Sequence, residues 1–471
     1  MALRNQIAEK VATFPDPHLG INLRESEEHL VDGEARLMQN CFRNGGVRIR
    51  RGSSNLNTVS LGAFRILGGH KYYYGGVSPT GKRLIAYSNK ISVLSDGASE
   101  TNLTTGMTTG VITHFTTWSI TDSVYISNGT DTLRKYDGTT FSTVSGTAIP
   151  SPRARVAVYL DRLFAITANG IEHTNPRSDS VWSTNSSWCT YRPQTPGLFT
   201  AIAPVSWKGT DTIYPGLLAF QERSTYLITG VDFGSDVTSA TATTGYDGGI
   251  DLIDPTVGTA SPRSVCSVPG VGTFWFTADR NVYWMKEGAF VGQFIGDKLQ
   301  STGTTVGIES ANLAALDAVW MEYHDNILIL AIPLGSATYA STQFWLDIRS
   351  LRDHPEYGPV WYGPMTGQTI GNAWVENQQG NSVLYSGEGN ASTAAFIYSM
   401  RVASVFTDAV GTADNDIVMA YQTLFKSFGT PSREKYVQAV HLDCNGFAGV
   451  ATLDMLDLDG TLASGVNIAA T

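Results

Sequence analysis

The sequence predicts an all-β protein, a β-propeller of six to eight blades with an N-terminal arm and a small C-terminal β domain. Three observations lead there. Glycine is abundant, with 48 residues in 471, and aromatics reach 10%. Charged residues stay at 16%, against a usual share of about 25%. Short β-branched and aromatic runs recur every 40 to 60 residues or so, roughly the period of propeller blades, with Gly, Asn, Asp, Ser and Thr between them.

The recurring units share one layout: a short apolar or aromatic strand, a polar turn, and a second strand. They cover residues 83–94, 123–136, 156–167, 216–228, 272–285, 318–332, 342–346 and 381–398. Several second strands close on an aromatic, as at Tyr136, Tyr226, Tyr283 and Tyr398. A small sheet with two apolar faces has to cover both. Packing such sheets face to face about an axis does so and leaves only short edges. A β-helix would need a much shorter repeat than this one.

The division expected along the chain is 1–60 for the arm and a platform segment, 61–400 for the propeller and 401–471 for the C-terminal β domain. In the arm, Pro15, Pro17 and Gly20 interrupt any regular pattern. Ala35, Leu37, Met38 and Cys41 fall at a helix-like spacing and predict a short helix or turn within 30–42. Asn44-Gly45-Gly46 then reads as a turn, and Val47-Arg48-Ile49-Arg50 as a strand. Toward the end, 414–425 and 435–442 read as strands. Residues 450–462 read as a hairpin turning at Asp459-Gly460.

The formal charge of -10 excludes an overall basic footprint for nucleic acid. No run approaches the ~18 apolar residues of a spanning helix; 326–333 has the length of one buried strand. The start of the sequence lacks an apolar core of signal-peptide type. Cys41, Cys189, Cys266 and Cys444 are far apart and form no CxxC pair, so four reduced thiols are expected rather than a disulfide or zinc framework. These features read as a soluble chain folded in a reducing cytoplasm.

No motif of standard spacing predicts catalysis, a cofactor or a metal, and the chain is expected not to be an enzyme. The eight histidines are scattered, and His114 and His324 read as core or hydrogen-bonded strand residues. Asp454, Asp457 and Asp459 lack the spacing of a calcium loop. Asp251 and Asp254 before Pro255 read as turn residues. Asp96-Gly97 and Asp137-Gly138 lack the residue that separates Asp from Gly in sialidase-like turns, so both read as hairpin turns. Arg43, Arg48, Arg50 and Arg51 form the densest positive cluster, with Arg48 and Arg50 expected on one strand face. That cluster predicts either a charged surface strand or a contact to phosphate or an acidic partner.

Residues 20–53 resemble the opening of tail nozzle proteins (tail tubular protein B-like) and packaged-DNA-stabilisation proteins of short-tailed bacteriophages. The matching pieces are Gly20-Ile21-Asn22-Leu23, Asp32-Gly33-Glu34-Ala35, Asn40 and Arg50-Arg51-Gly52. Leu160-Asp161-Arg162-Leu163-Phe164 with 171–182 is similar to a blade of the same proteins. So are 217–230, and Ser261-Pro262-Arg263-Ser264-Val265 with Val282-Tyr283-Trp284. The resemblance covers about residues 20–400. It implies a structural virion protein in the tail, assembled in the host cytoplasm as a homo-oligomer, usually a hexameric ring. It implies contacts to portal and adaptor, to other tail proteins and to tail fibres or spikes. It further implies transient passage of double-stranded DNA, and no membrane insertion. Low charge with many Tyr, Trp and Thr suits large permanent subunit contacts. The alternative is a propeller-type tail protein that binds or cleaves glycan, since Trp and Tyr faces stack on sugars.

Overall fold

A strand covered on both faces has to be apolar at nearly every position, and the central strands of this protein are. Ile327–Ile332 (ILILAI) is buried throughout. Elsewhere the period of two divides one strand between two cores. Leu84 and Ala86 pack toward one neighbouring sheet, with Phe115, Val124 and Tyr136; Ile85 and Tyr87 pack toward the other, with Trp374, Tyr385 and Ile397. Leu163 and Ala165 face Trp118 and Tyr125, while Phe164 and Ile166 face Ile202, Leu217 and Tyr226. A single sheet could not bury both faces, so the sheets stack.

The computed structural model describes residues 16–423, apart from short stretches of which 183–189 and 230–248 are the longest, and the backbone of 450–456 and 462–469. The described residues form seven four-stranded antiparallel sheets, a seven-bladed propeller within the expected range. The first six blades each use four consecutive strands. Blade 1 runs from Ile66–Tyr74 through Glu100–Thr104, blade 2 from His114–Trp118 through Phe141–Thr143, and blade 3 from Ala157–Tyr159 through Thr190–Tyr191. Blade 4 runs from Ala201–Lys208 through Gly249–Asp254, blade 5 from Cys266–Val268 through Gln293–Phe294, and blade 6 from Trp320–His324 through Trp361–Met365. The first strand of each blade touches the first strands of its neighbours, and those of blades 7 and 1 meet, so the inner strands ring an axis. No helix among the described residues is long and apolar enough to cross a membrane.

Blade 7 takes Ile370–Gln378, Asn381–Glu388 and Ile397–Met400 and borrows its outer strand, Ser53–Asn55, from ahead of blade 1. The register is Tyr398 to Asn55, Ser399 to Ser54 and Met400 to Ser53. The ring is therefore closed by a strand from the segment expected to be arm. At the 7–1 seam no side chain fits at two glycines. A Cβ on Gly387 would lie 2.4 Å from Ile66 Cβ, and one on Gly69 would lie 2.3 Å from the Trp374 ring.

The helix or turn expected within 30–42 is replaced by strands, Glu34–Gln39 and Cys41–Arg43. Glu34–Gln39 lies between Gly20–Ile21, which pairs with it in parallel, and Ala420–Thr423, which pairs antiparallel. Covered on both faces, it shows no alternation, and its apolar residues fell by chance at a helical spacing. Gly45 and Gly46, at φ 63° and 120°, form the expected turn, which here joins two strands, Cys41–Arg43 and Val47–Ile49, in a hairpin. Residues 414–425, expected as one strand, hold two short ones, Ala413–Asp416 and Ala420–Thr423. The expected hairpin near the end pairs Val450–Leu456 with Leu462–Ala469. Its turn at Asp459-Gly460 and the strand expected at 435–442 lie outside the described residues.

Candidate functional site

The positive cluster of the arm does not stay together. Arg48 is exposed, whereas Arg50 leaves the strand and is buried against Asp408, so the two do not share a face. Arg43 pairs with Asp16 at 2.5 Å. Arg50 uses all five of its N–H groups. Its Nε donates to Asn40 Oδ1 (3.0 Å), Nη1 to Asp408 Oδ1 (2.8 Å) and Arg51 O (3.3 Å), and Nη2 to Thr366 O (2.7 Å) and Asp408 Oδ2. Asn40, at φ 54°, also receives Thr366 N and donates to Val418 O. Glu34 accepts from Asn22 Nδ2 (3.1 Å) and pairs with Lys298 (2.9 Å). The residues that carry the family resemblance in the arm thus fasten it to the propeller.

A different set of arginines gathers at the axis. Arg65, Arg155 and Arg263 stand just ahead of the inner strands of blades 1, 3 and 5. Pro262–Ser264 is a turn of 3-10 helix whose ends are pinned: Ser264 N donates to Ser261 O (3.1 Å), and Ser261 Oγ to Val319 O (2.7 Å). From this turn Arg263 reaches past blade 6. Its Nη2 donates to Asp317 O (2.9 Å), and its Nη1 donates to Gly371 O (2.6 Å) and approaches Asn372 Oδ1 (3.5 Å) on blade 7. One side chain therefore bridges three blades at the mouth of the axis. Burial, and then the neighbouring charge of Arg65, lower the Arg263 guanidinium, and Asp317 opposes them. The backbone around Arg155 is held by blade 2, because Ala154 O accepts from Ser127 Oγ (2.9 Å) and Val156 O from Thr116 Oγ1.

Arg155 acts on groups from four further blades, which is possible only near the axis. Burial lowers His70 to about 4, with Arg155 adding to the effect and Glu376 opposing it. Burial lowers His114 to about 3, with Arg263 and Arg155 adding. Both imidazoles are neutral at physiological pH. Burial and the nearby Glu322 raise the Cys266 thiol, against Arg155, so it stays protonated. Burial raises the Glu322 carboxyl to about 7, opposed by Arg155 and a backbone hydrogen bond at Tyr323. These side chains are surrounded by protein yet keep accessible surface, as groups lining a narrow axial space do.

The raised Glu322 has a consequence for stability. A carboxyl whose folded value lies above its ordinary 4.5 binds its proton more tightly when folded. Its contribution is complete below pH 4.5 and is lost as pH rises through about 7. Glu322→Gln is therefore expected to raise the unfolding temperature relative to the native protein at pH 8 and to leave it unchanged at pH 4, read by thermal melts at both pH values.

Other expected residues have structural partners. His324 Nε2 meets Ser382 O at 3.0 Å, and its Nδ1 receives Arg401 Nη1 at 3.1 Å. Asp254 Oδ1 accepts from Thr256 N (2.8 Å) and Val257 N (3.0 Å), a turn as expected. Asp251 instead pairs with Leu227 inside a strand. Asp137 Oδ1 accepts from Thr139 N (2.9 Å) and Thr140 N (2.7 Å) and forms the expected Asp-Gly hairpin turn. Cys41 and Cys266 are free thiols. Asp96-Gly97, Cys189 and Cys444 lie outside the described residues, as do the side chains of Asp454, Asp457 and Asp459. Among the described residues no cluster of His, Cys, Asp and Glu is arranged to hold a metal ion. A small depression near Glu222, Asp279 and Tyr283 encloses only about 20 Å³, far below the ~300 Å³ at which ligand pockets begin.

The arginines of the axis mouth carry no local sequence motif. They stand about a hundred residues apart, and only Arg263 lay within a segment noted for its resemblance. The one signal was positional, an arginine within three residues of an inner strand in alternate blades.

No family model and no curated protein sequence matches the chain. Solved structures with similar folds include BBS1N in complex with ARL6DN, soaked with lead, at 9% identity and TM-score 0.43, covering 76% of this chain and 99% of that one. Another is the WD40 β-propeller domain of Doa1, at 8% identity and TM-score 0.39, covering 75% and 98%. A third is YCF48 bound to D1 peptide, at 9% identity and TM-score 0.41, covering 78% and 99%. The chain is a β-propeller, by its seven sheets and the closed ring of their inner strands.

Proposed function

We propose that the protein is a structural subunit of a phage tail nozzle or hub ring, a homo-oligomer through which double-stranded DNA is retained and ejected. The reading rests on the order of motifs that resemble that family. The observation that supports it best is the arm: Glu34, Asn40, Arg50 and Gly52, all among the residues of the resemblance, occupy buried positions against Lys298 after blade 5, Thr366 after blade 6 and the strand Thr407–Val410 after blade 7. Arg263 reaches from blade 5 to blades 6 and 7 at the axis mouth, and the passage proposed for the duplex lies between copies and not through a single propeller. Close to the fastened arm, Phe406, Val418 and Met419 are 52%, 70% and 45% exposed, an apolar surface suited to a neighbouring copy.

Sedimentation and negative-stain imaging of the purified chain, alone and with portal and adaptor, test the assignment. Rings are expected. A strict monomer with no affinity for portal, adaptor or fibre would overturn it, and so would release of reducing ends from host capsule or cell-wall glycan by the protein alone.

A further inference from the structure

We propose that the mouth of the axis, between Arg65, Arg155 and Arg263, is a binding site for a small multivalent oxyanion of the phosphate class. The inference does not depend on the ring assignment.

The hydrogen-bond inventory carries it. Nε and Nη2 of Arg65 are buried and have no hydrogen-bond partner. These two nitrogens form one edge of the guanidinium, the fork that grips two oxygens of one phosphate or carboxylate. Nε of Arg263 is likewise buried and unpartnered, although its other two nitrogens are anchored on backbone carbonyls. Each such buried donor costs about 1–3 kcal/mol when left unsatisfied. Among the described residues no carboxylate lies within ion-pair distance of any of the three arginines. Three of the deeply buried arginines elsewhere are matched: Arg50 has Asp408, Arg83 has Glu376, and Arg36 donates to the carbonyls of Asn22, Leu23 and Glu25.

Charge points to a multivalent ligand. Asp317 is the carboxylate that acts on both Arg65 and Arg263. Glu322, raised to about 7, faces Arg155, so the three guanidiniums meet Asp317 and a second carboxyl that is only partly ionised near neutrality, and a net positive charge remains. His70 and His114 are neutral and add none. An anion whose charge lies between one and two near neutrality, as that of inorganic phosphate does, balances that excess, in a chain whose overall charge of -10 repels anions elsewhere. The site is also held ready. Arg263 sits on the pinned 3-10 turn, with Thr259 Oγ1 and Ser264 Oγ 2.9 Å apart beneath it, and the carbonyls on either side of Arg155 are fixed by blade 2.

Inorganic phosphate is the probe, titrated into the full-length protein by calorimetry and by thermal shift. Chloride at matched ionic strength is the control, and citrate runs as a parallel arm. Saturable phosphate binding is expected, tighter than citrate and absent with chloride. Arg65→Met and Arg263→Met are each expected to weaken it at least tenfold, and Arg155→Gln severalfold. Arg155 is exposed and makes no hydrogen bond or ion pair among the described residues, so this variant decides the matter if the other two do not fold. No saturable phosphate binding by the native protein, citrate binding as tightly as phosphate, or unchanged phosphate affinity in the folded variants would overturn the site.

Discussion

Arg83→Ala is expected to destabilise the protein by about 3–5 kcal/mol, because it takes the two-pronged guanidinium away from the buried Glu376 carboxylate. The pair lies at the seam where blade 1 meets blade 7, and both side chains are 0% exposed. Nε of Arg83 donates to Glu376 Oε1 at 2.5 Å and Nη2 to Oε2 at 2.8 Å, the two-pronged geometry that makes such pairs strong. The guanidinium also stacks 4.6 Å above the Tyr385 ring. Trp374 Nε1 (3.0 Å) and Lys71 Nζ (3.4 Å) complete the surroundings of the carboxylate. Denaturant unfolding followed by tryptophan fluorescence measures the loss. Arg83→Met combined with Glu376→Leu is expected to recover most of it, since no charge is then left buried alone. If the double variant is no more stable than the single one, packing and not charge governs the seam.

The same pair sets an acid limit. Burial acts to raise the Glu376 carboxyl, but hydrogen bonds and charge from Arg83, with Trp374 and Lys71 behind them, outweigh it and hold the group below the ordinary carboxylate range. A depressed carboxyl gives stability that is complete above its unfolded value of 4.5 and is lost as pH falls through the lower folded value. The seam therefore weakens in acid, whereas Glu322 weakens the fold toward alkali.

How far the sequence could be read depended on which physical signal each residue carried. The central strands of the blades were legible because a strand covered on both faces must be apolar at nearly every position, as 163–166 and 327–332 are. Glu34–Gln39 misled for the same reason: with no alternation, Leu37, Met38 and Cys41 look as helical as they do extended. Ser53–Asn55 has no apolar pattern at all, and its place in blade 7 is set by pairing with residues nearly 350 positions away. The arginines invert expectation. Adjacency in 43–51 implied a shared patch, yet burial separates Arg50 from Arg48. Arg65, Arg155 and Arg263 share nothing in local sequence and are brought together only when the ring closes.

Asp408→Ala is expected to cost about 3–5 kcal/mol as well, and to loosen a different part of the ring. Arg50 and Asp408 are each 3% exposed. Removing the carboxylate strands a guanidinium whose remaining contacts are neutral oxygens of Asn40, Arg51 and Thr366. It also breaks the route by which Gln368 Nε2 connects Asp408 Oδ1 (2.9 Å) to Ser53 Oγ (2.8 Å) on the closing strand. Beside it Gly52 lies flush against Thr407–Val410, the strand that carries Asp408 and pairs with Ala413–Asp416, with room for no Cβ: one built there would stand 1.8 Å from Thr407 O. The closing strand is therefore tied by this network and by backbone pairing to Ile397–Met400, with little apolar area of its own. Hydrogen exchange should show the difference from the seam. In Asp408→Ala, amides of Ser53–Asn55 and Tyr398–Met400 are expected to lose protection first, while blades 2–5 keep theirs. Arg50→Lys should behave like a loss and not like a conservative change, because three donors on a point charge cannot replace five on a planar fork. Uniform loss of protection around the ring in Asp408→Ala, or native stability in Arg50→Lys, would show that backbone pairing alone closes the propeller.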